Sequence, residues 1–202
     1  MIRTTTETGQ MALGGFEPPQ PTDRLFFAVF PDATAAAAIA DIAQALRSQQ
    51  HLQGKPLRSD RFHVTLHHLG DYAGLPQDVV AKAGQAAAAV DMPAFEVAFD
   101  SAASFSGHSR HHPFVLRGDD GVVAVRELQR RLGACMATAG LGRLVRPAFT
   151  PHVTLLYEER MVAMQTVDRI AWIAREFVLV HSLLGRTEHR VLGRWPLRAA
   201  NA

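Results

Sequence analysis

The sequence predicts an α+β fold: a bilobal duplication of sheet and helix around a central cleft, lined by two His-x-Thr strands. Three observations predict it. The tetrad His-Val-Thr-Leu occurs twice, at His63–Leu66 and at His152–Leu155. Each copy is preceded by a strand and then a helix pattern, so the two halves of the chain resemble each other. No long linker separates the halves, which places both copies in one domain spanning residues 23–202.

The elements follow in order. Residues 1–22 are rich in Thr, Gly, Pro and Gln, with FEPPQP near the end, and read as a disordered or extended arm. RLFFAVF (24–30) is a strongly apolar strand stopped by Pro31. Asp32 is a fitting N-cap for an Ala-rich helix over 33–50, with Ile39, Ile42, Ala43 and Leu46 on one face. The first motif strand runs over 61–69 and ends at Gly70-Asp71. Pro76 opens a second alanine-rich helix that Pro93 closes; alanine favours helix but covers little area, so these helices pack close to a sheet. Residues 94–105 alternate Phe95, Val97 and Phe99 with Ala94, Glu96 and Ala98, a half-buried strand. A loop, SGHSRHH, leads to a short strand over 113–117. A helix over 122–139 stops at Gly140. The second motif strand covers 151–157, residues 158–168 are polar and irregular, one strand lies within 170–184, and VLGRWPL closes the sheet.

Strand side chains alternate, so the histidine and threonine of each tetrad share one face while Val and Leu point to a core. Two such strands facing each other make a cleft with two imidazoles and two hydroxyls, a set suited to proton transfer at a phosphate. By the same parity His67 joins His63 and Thr65 on the groove, and His68 faces the core or a helix. The remaining histidines suggest a metal site at His108, His111 and His112. No cysteine or carboxylate completes a tetrahedral set, so HSRHH reads as a polar loop, in which Arg110 is a candidate for binding a phosphate.

Composition narrows the class. A net charge of +2 is too small for a surface that coats nucleic acid. Cys135 is the only cysteine, which excludes an internal disulfide and multi-Cys metal sites; it falls in the apolar stripe Leu128, Leu132, Cys135, Met136 and reads as a small core residue. No window has the 18 or so apolar residues of a membrane span, and the N-terminus lacks the apolar core of a secretory signal. The expectation is a cytoplasmic protein with no membrane contact.

RFHVTLHHLG and FTPHVTLLY, with the opening RLFFAVF and the ending VLGRWPL, resemble a bacterial RNA 2′,3′-cyclic phosphodiesterase of the two-histidine phosphoesterase superfamily, often called 2′-5′ RNA ligases. The resemblance runs over about residues 24–197. It implies a bilobal fold, a substrate among RNA ends or cyclic nucleotides, and opening of a terminal 2′,3′-cyclic phosphate to a 2′-phosphate with no metal or cofactor. It implies His63 as proton donor, His152 as proton acceptor, and Thr65 and Thr154 as phosphate-binding hydroxyls. It also sets Phe27 near the bound nucleotide, although a phenylalanine in this strand reads equally as core. Some members have an arginine where this chain has Tyr157, and that arginine helps hold phosphate. Tyr157 offers one hydroxyl or a stacking surface, and its parity faces the cleft only if the strand bends near Leu156. His189 stands where some members have tyrosine. Two alternatives use the same residues: ligation forming a 2′-5′ linkage, and a non-catalytic module that binds RNA ends. No obligate protein partner is expected, and a monomer is.

Overall fold

The apolar strands and alanine-rich helices assemble into two four-stranded antiparallel sheets with three α-helices in the computed structural model, which describes residues 19–106 and 110–199. The arm expected over 1–22 falls largely outside the described residues. By Thr22 the chain is already tied to a sheet, its amide donating to the Tyr72 carbonyl at 2.8 Å.

The strands and helices are β1 (Asp23–Val29), α1 (Ala33–Gln49), β2 (Val64–Tyr72), α2 (Gln77–Ala88), β3 (Phe95–Ser104), β4 (His112–Arg117), α3 (Val123–Met136), β5 (His152–Glu158), β6 (Gln165–Ala174), β7 (Glu176–Leu183) and β8 (Glu188–Pro196). One sheet has the order β2-β1-β7-β8 and the other β5-β4-β3-β6. The motif strands β2 and β5 are therefore the edge strands of their sheets, and they adjoin each other. Asp32 caps α1 as expected, its carboxylate accepting from the Ala35 amide at 2.9 Å. Gly140 ends the α3 region in the left-handed conformation, φ +84°, that favours glycine.

The single strand expected within 170–184 is in fact two. β6 and β7 meet at Arg175 and enter different sheets, β6 pairing with β3 and β7 with β1. The first half of β6, QTVDR, is polar because an edge strand has one side free to face water. That is why its sequence reads as irregular.

One face of each sheet is covered by helices and shares a continuous apolar core. Leu25, Phe27 and Val29 of β1, Val64, Leu66 and Leu69 of β2, and Phe114 and Leu116 of β4 all belong to it. The opposite face of the first sheet carries a separate small cluster of Phe26, Ala28, Val178 and Val180, flanked by Phe30. That second face is the floor on which the first motif histidine rests.

The two motif strands share an irregularity. In β2, Ala28 pairs with Thr65 and Phe27 with His67, so Leu66 is an extra residue. In β5, Val115 pairs with Thr154 and Phe114 with Leu156, so Leu155 is extra. Each strand thus bulges at the residue after its threonine, which reverses the parity beyond it. The bulged region of β5 is held by the loop ahead of β2: the Leu57 amide donates to the Leu155 carbonyl at 2.7 Å. The amides of Gln53 and Gly54 donate to the buried Glu158 carboxylate at 2.6 and 2.9 Å. A Cβ on Gly54 would lie 2.1 Å from the Tyr157 carbonyl oxygen, so this close approach needs glycine.

Candidate active site

The two histidines are aimed by the backbone just ahead of their strands. His63 Nδ1 lies 2.7 Å from the Arg61 carbonyl, and His152 Nδ1 lies 2.7 Å from the Thr150 carbonyl. A carbonyl can only accept, so Nδ1 carries the hydrogen in both rings and donates it. Nε2 of each ring then presents a lone pair when neutral, or a proton when charged. The same i to i−2 contact in both motifs is the local counterpart of the repeat seen in the sequence.

Aromatic side chains fix the rings further. Phe26 stacks on His63 with centroids 4.9 Å apart, and His189 meets His63 edge-on at 5.5 Å. Phe105 meets His152 edge-on at 4.8 Å. Arg117, paired across the ladder with His152, lies over the Phe105 ring at 5.8 Å. Thr65 and Thr154 are half-buried on the same faces as their histidines, and among the described residues neither hydroxyl has a hydrogen-bond partner. Beside His152 is a cavity of about 310 Å³ whose lining includes Thr65, His68, Phe105, Arg146 and Phe149.

The bulges exchange the expected roles of two histidines. His67 is 3% exposed and turned toward α3, where its Nε2 lies 2.8 Å from the Gln129 carbonyl. Gly133 makes room for it, since a Cβ there would come within 3.2 Å of the ring. His68, expected to meet the core, is exposed and lies 3.0 Å from the Asp71 carboxylate, which Arg24 also grips through two bonds of 2.7 Å. Tyr157 is the counterpart of His68 in β5. The Leu155 bulge turns it outward, 52% exposed, in the company of Arg24 and Arg61.

Of the two readings of Phe27, the structure shows the core one. It is fully buried in the core against Phe177 and Trp195. Its neighbour Phe26 has the parity of the cleft. Arg110 is exposed in the bend ahead of β4. The ladder runs from His112 opposite Glu158 to Arg117 opposite His152, so Arg110 stands at the far end of β5 from the second histidine. The arginine beside His152 is Arg117. Sequence reasoning missed Phe26, Phe105 and Arg117 as site residues; the only signal was their proximity in sequence to apolar strands, which marks core as readily as cleft. Among the described residues no three His, Cys, Asp or Glu side chains are grouped so as to hold a metal ion; His108 lies outside them.

The electrostatics favour neutral imidazoles. Burial, helped by the nearby charges of Arg61 and His152, lowers the His63 pKa from 6.5 to about 4. Burial and the charges of Arg61 and His63 bring His189 to about 4 as well. Burial lowers His152, with Arg117 adding to the effect. Unfolded, these rings take up a proton near pH 6.5; folded, they resist it. Stability is therefore complete above pH 6.5 and falls as the pH drops from 6.5 through 4. For His63 that gap corresponds to about 3 kcal/mol. Urea unfolding at pH 7 and pH 4 checks this: His63→Gln should lose about 3 kcal/mol less than the parent across that interval, and an equal loss in both would contradict it.

Comparisons with known proteins bear on the family and the fold. The family model of the 2′-5′ RNA ligase superfamily matches residues 30–185. The solved structure of E. coli LigT complexed with NADP+ is 26% identical, with 88% of this chain and 99% of LigT covered and a TM-score of 0.64. TT0787 of Thermus thermophilus is 21% identical over 88% of this chain and 100% of its own, with a TM-score of 0.69. A crystal structure described as a phosphoesterase is 24% identical over 88% and 99%, also with a TM-score of 0.69. The latter two likenesses are of fold. No protein of curated function matches the chain in sequence. Among the described residues no helix is long and apolar enough to cross a membrane.

Proposed function

Because the chain belongs to the 2′-5′ RNA ligase superfamily, we propose that it opens the terminal 2′,3′-cyclic phosphate of RNA to a 2′-phosphate, by two-histidine acid–base catalysis without a metal. The observation that carries this reading is the paired arrangement of His63 and His152. Each has Nδ1 committed to a carbonyl and Nε2 left for chemistry, and each shares a face with a threonine whose hydroxyl has no hydrogen-bond partner among the described residues.

A cyclic phosphodiester already holds its leaving group in place. It needs an activated water on one side of phosphorus and a proton for the departing oxygen on the other. Neutral His152, carried over from the family resemblance as the acceptor, takes the water proton through Nε2. Protonated His63 gives its Nε2 proton to the leaving 3′ oxygen. The water oxygen bonds to phosphorus, the bond to the 3′ oxygen breaks, and the phosphate stays on the 2′ oxygen. The Thr65 and Thr154 hydroxyls donate to non-bridging oxygens as charge builds there. The anionic phosphate raises the pKa of both imidazoles on binding, which loads His63 with its proton.

The test is turnover of an oligoribonucleotide ending in a 2′,3′-cyclic phosphate, with EDTA present. A 2′-phosphate end is expected. The kcat/KM profile should be bell-shaped with its optimum below pH 6.5, since both free-enzyme histidines titrate below their ordinary value. Joined RNA half-molecules in place of a phosphomonoester would assign the ligase reaction to the same cleft. Binding without either product would leave an RNA-end-binding module.

A further inference from the structure

Arg61 is a cation of the cleft that the histidine chemistry does not use. It ends the short turn that leads into β2, and its carbonyl orients His63. Its charge is within electrostatic reach of His63, His189 and Tyr157. Nε and Nη1 are both buried and have no hydrogen-bond partner, which leaves Nη2 as the nitrogen that reaches solvent. The neighbouring Asp60 carboxylate acts on it through space but makes its hydrogen bonds to the exposed guanidinium of Arg58. Buried guanidinium nitrogens without hydrogen-bond partners are costly to the folded state even on a half-buried side chain, and a bound anion would supply the counter-charge this group lacks at hydrogen-bond distance.

We infer that Arg61 is the residue that holds the anionic phosphate of the substrate in this cleft, donating from its guanidinium to a non-bridging phosphate oxygen. The inference rests on the hydrolytic reading only for the identity of that anion as an RNA-terminal phosphate. The placement is chemically economical. One residue fixes the tautomer of His63 through its carbonyl and brings the phosphate to the same imidazole through its side chain. Before an anion binds, the guanidinium adds to burial in disfavouring a proton on His63. A phosphate seated on Arg61 cancels that repulsion, so the acid becomes protonated only when there is something to protonate. Tyr157, exposed beside the guanidinium, is then free to contact the sugar or base instead of the phosphate.

The experiment compares the full-length parent with Arg61→Gln and Arg61→Lys, using inorganic phosphate and adenosine 2′-monophosphate as probes in calorimetric titration and thermal melts. His63 Cε1–H titration is followed by NMR. Arg61→Gln should weaken both anions at least tenfold, remove the stabilisation that phosphate gives the parent, and raise the melting temperature of the ligand-free protein by relieving the unpartnered charge. Its His63 should titrate at higher pH than in the parent when no ligand is present. Arg61→Lys should keep part of the affinity, because the charge remains but the position of the Nη2 donor is lost. On the cyclic substrate, Arg61→Gln should raise KM by tenfold or more, with a smaller effect on kcat. Parental phosphate affinity and an unmoved His63 titration in a folded Arg61→Gln would overturn the inference, whatever the reaction proves to be. Conversely, Arg61-dependent phosphate binding in a parent that opens no cyclic phosphate would keep the inference and remove the hydrolytic reading.

Discussion

His63→Ala and His152→Ala should each lower turnover of a terminal 2′,3′-cyclic phosphate by about 10²–10⁴-fold, in proteins that remain folded. Both side chains stand on the cleft face and are not part of the continuous core. Truncation of His63 removes a ring stacked on Phe26, and truncation of His152 removes one set against Phe105. Neither change opens a void beneath the helices. The double variant should be little worse than the poorer single one, because an acid and a base serving one transition state act as a unit. Single-turnover rates with a thermal melt for each variant provide the check. Near-parental turnover in either single variant would remove the two-histidine mechanism.

The second large effect separates two adjacent phenylalanines. Phe27→Ala should cost about 3–5 kcal/mol of stability, because the ring is fully buried against Phe177 and Trp195. Its refolded fraction should keep a parental KM. Phe26→Ala should behave in the opposite sense. Phe26 belongs to the small cluster on the cleft floor and carries His63 on its face, so the loss should fall on catalysis, with a smaller change in melting. Urea unfolding and steady-state kinetics on the pair decide it. Parental stability in Phe27→Ala, with a raised KM, would place that ring at the nucleotide after all.

These contrasts show what was legible in the chain. The repeated tetrads were readable because a period-2 pattern of His and Thr against Val and Leu encodes a strand with one open face. The alternation of strands and alanine-rich helices was readable for the same reason. Residues beyond the tetrads were not, because parity counting assumes an unbroken ladder. A bulge at Leu66 and its partner at Leu155 reverse the parity just beyond them, which sends His67 under α3 and turns His68 and Tyr157 outward. Nothing in His-Val-Thr-Leu itself signals an extra residue. The passage from β6 to β7 was hidden by the polar start of an edge strand. Phe26 and Phe27 could not be told apart within RLFFAVF, since a strand apolar on both faces has no readable inside. Arg61, two residues ahead of His63, was in plain view, but its missing partner is a property of packing and has no sequence signature.

The most direct test of the account is hydrolysis of an oligoribonucleotide 2′,3′-cyclic phosphate in ¹⁸O-labelled water with EDTA present, read by ³¹P NMR and mass spectrometry. The account predicts a single terminal 2′-phosphate carrying one solvent oxygen, formed by the parent and lost in His63→Ala and His152→Ala. A 3′-phosphate, a product without solvent oxygen, or equal turnover in the histidine variants would contradict it.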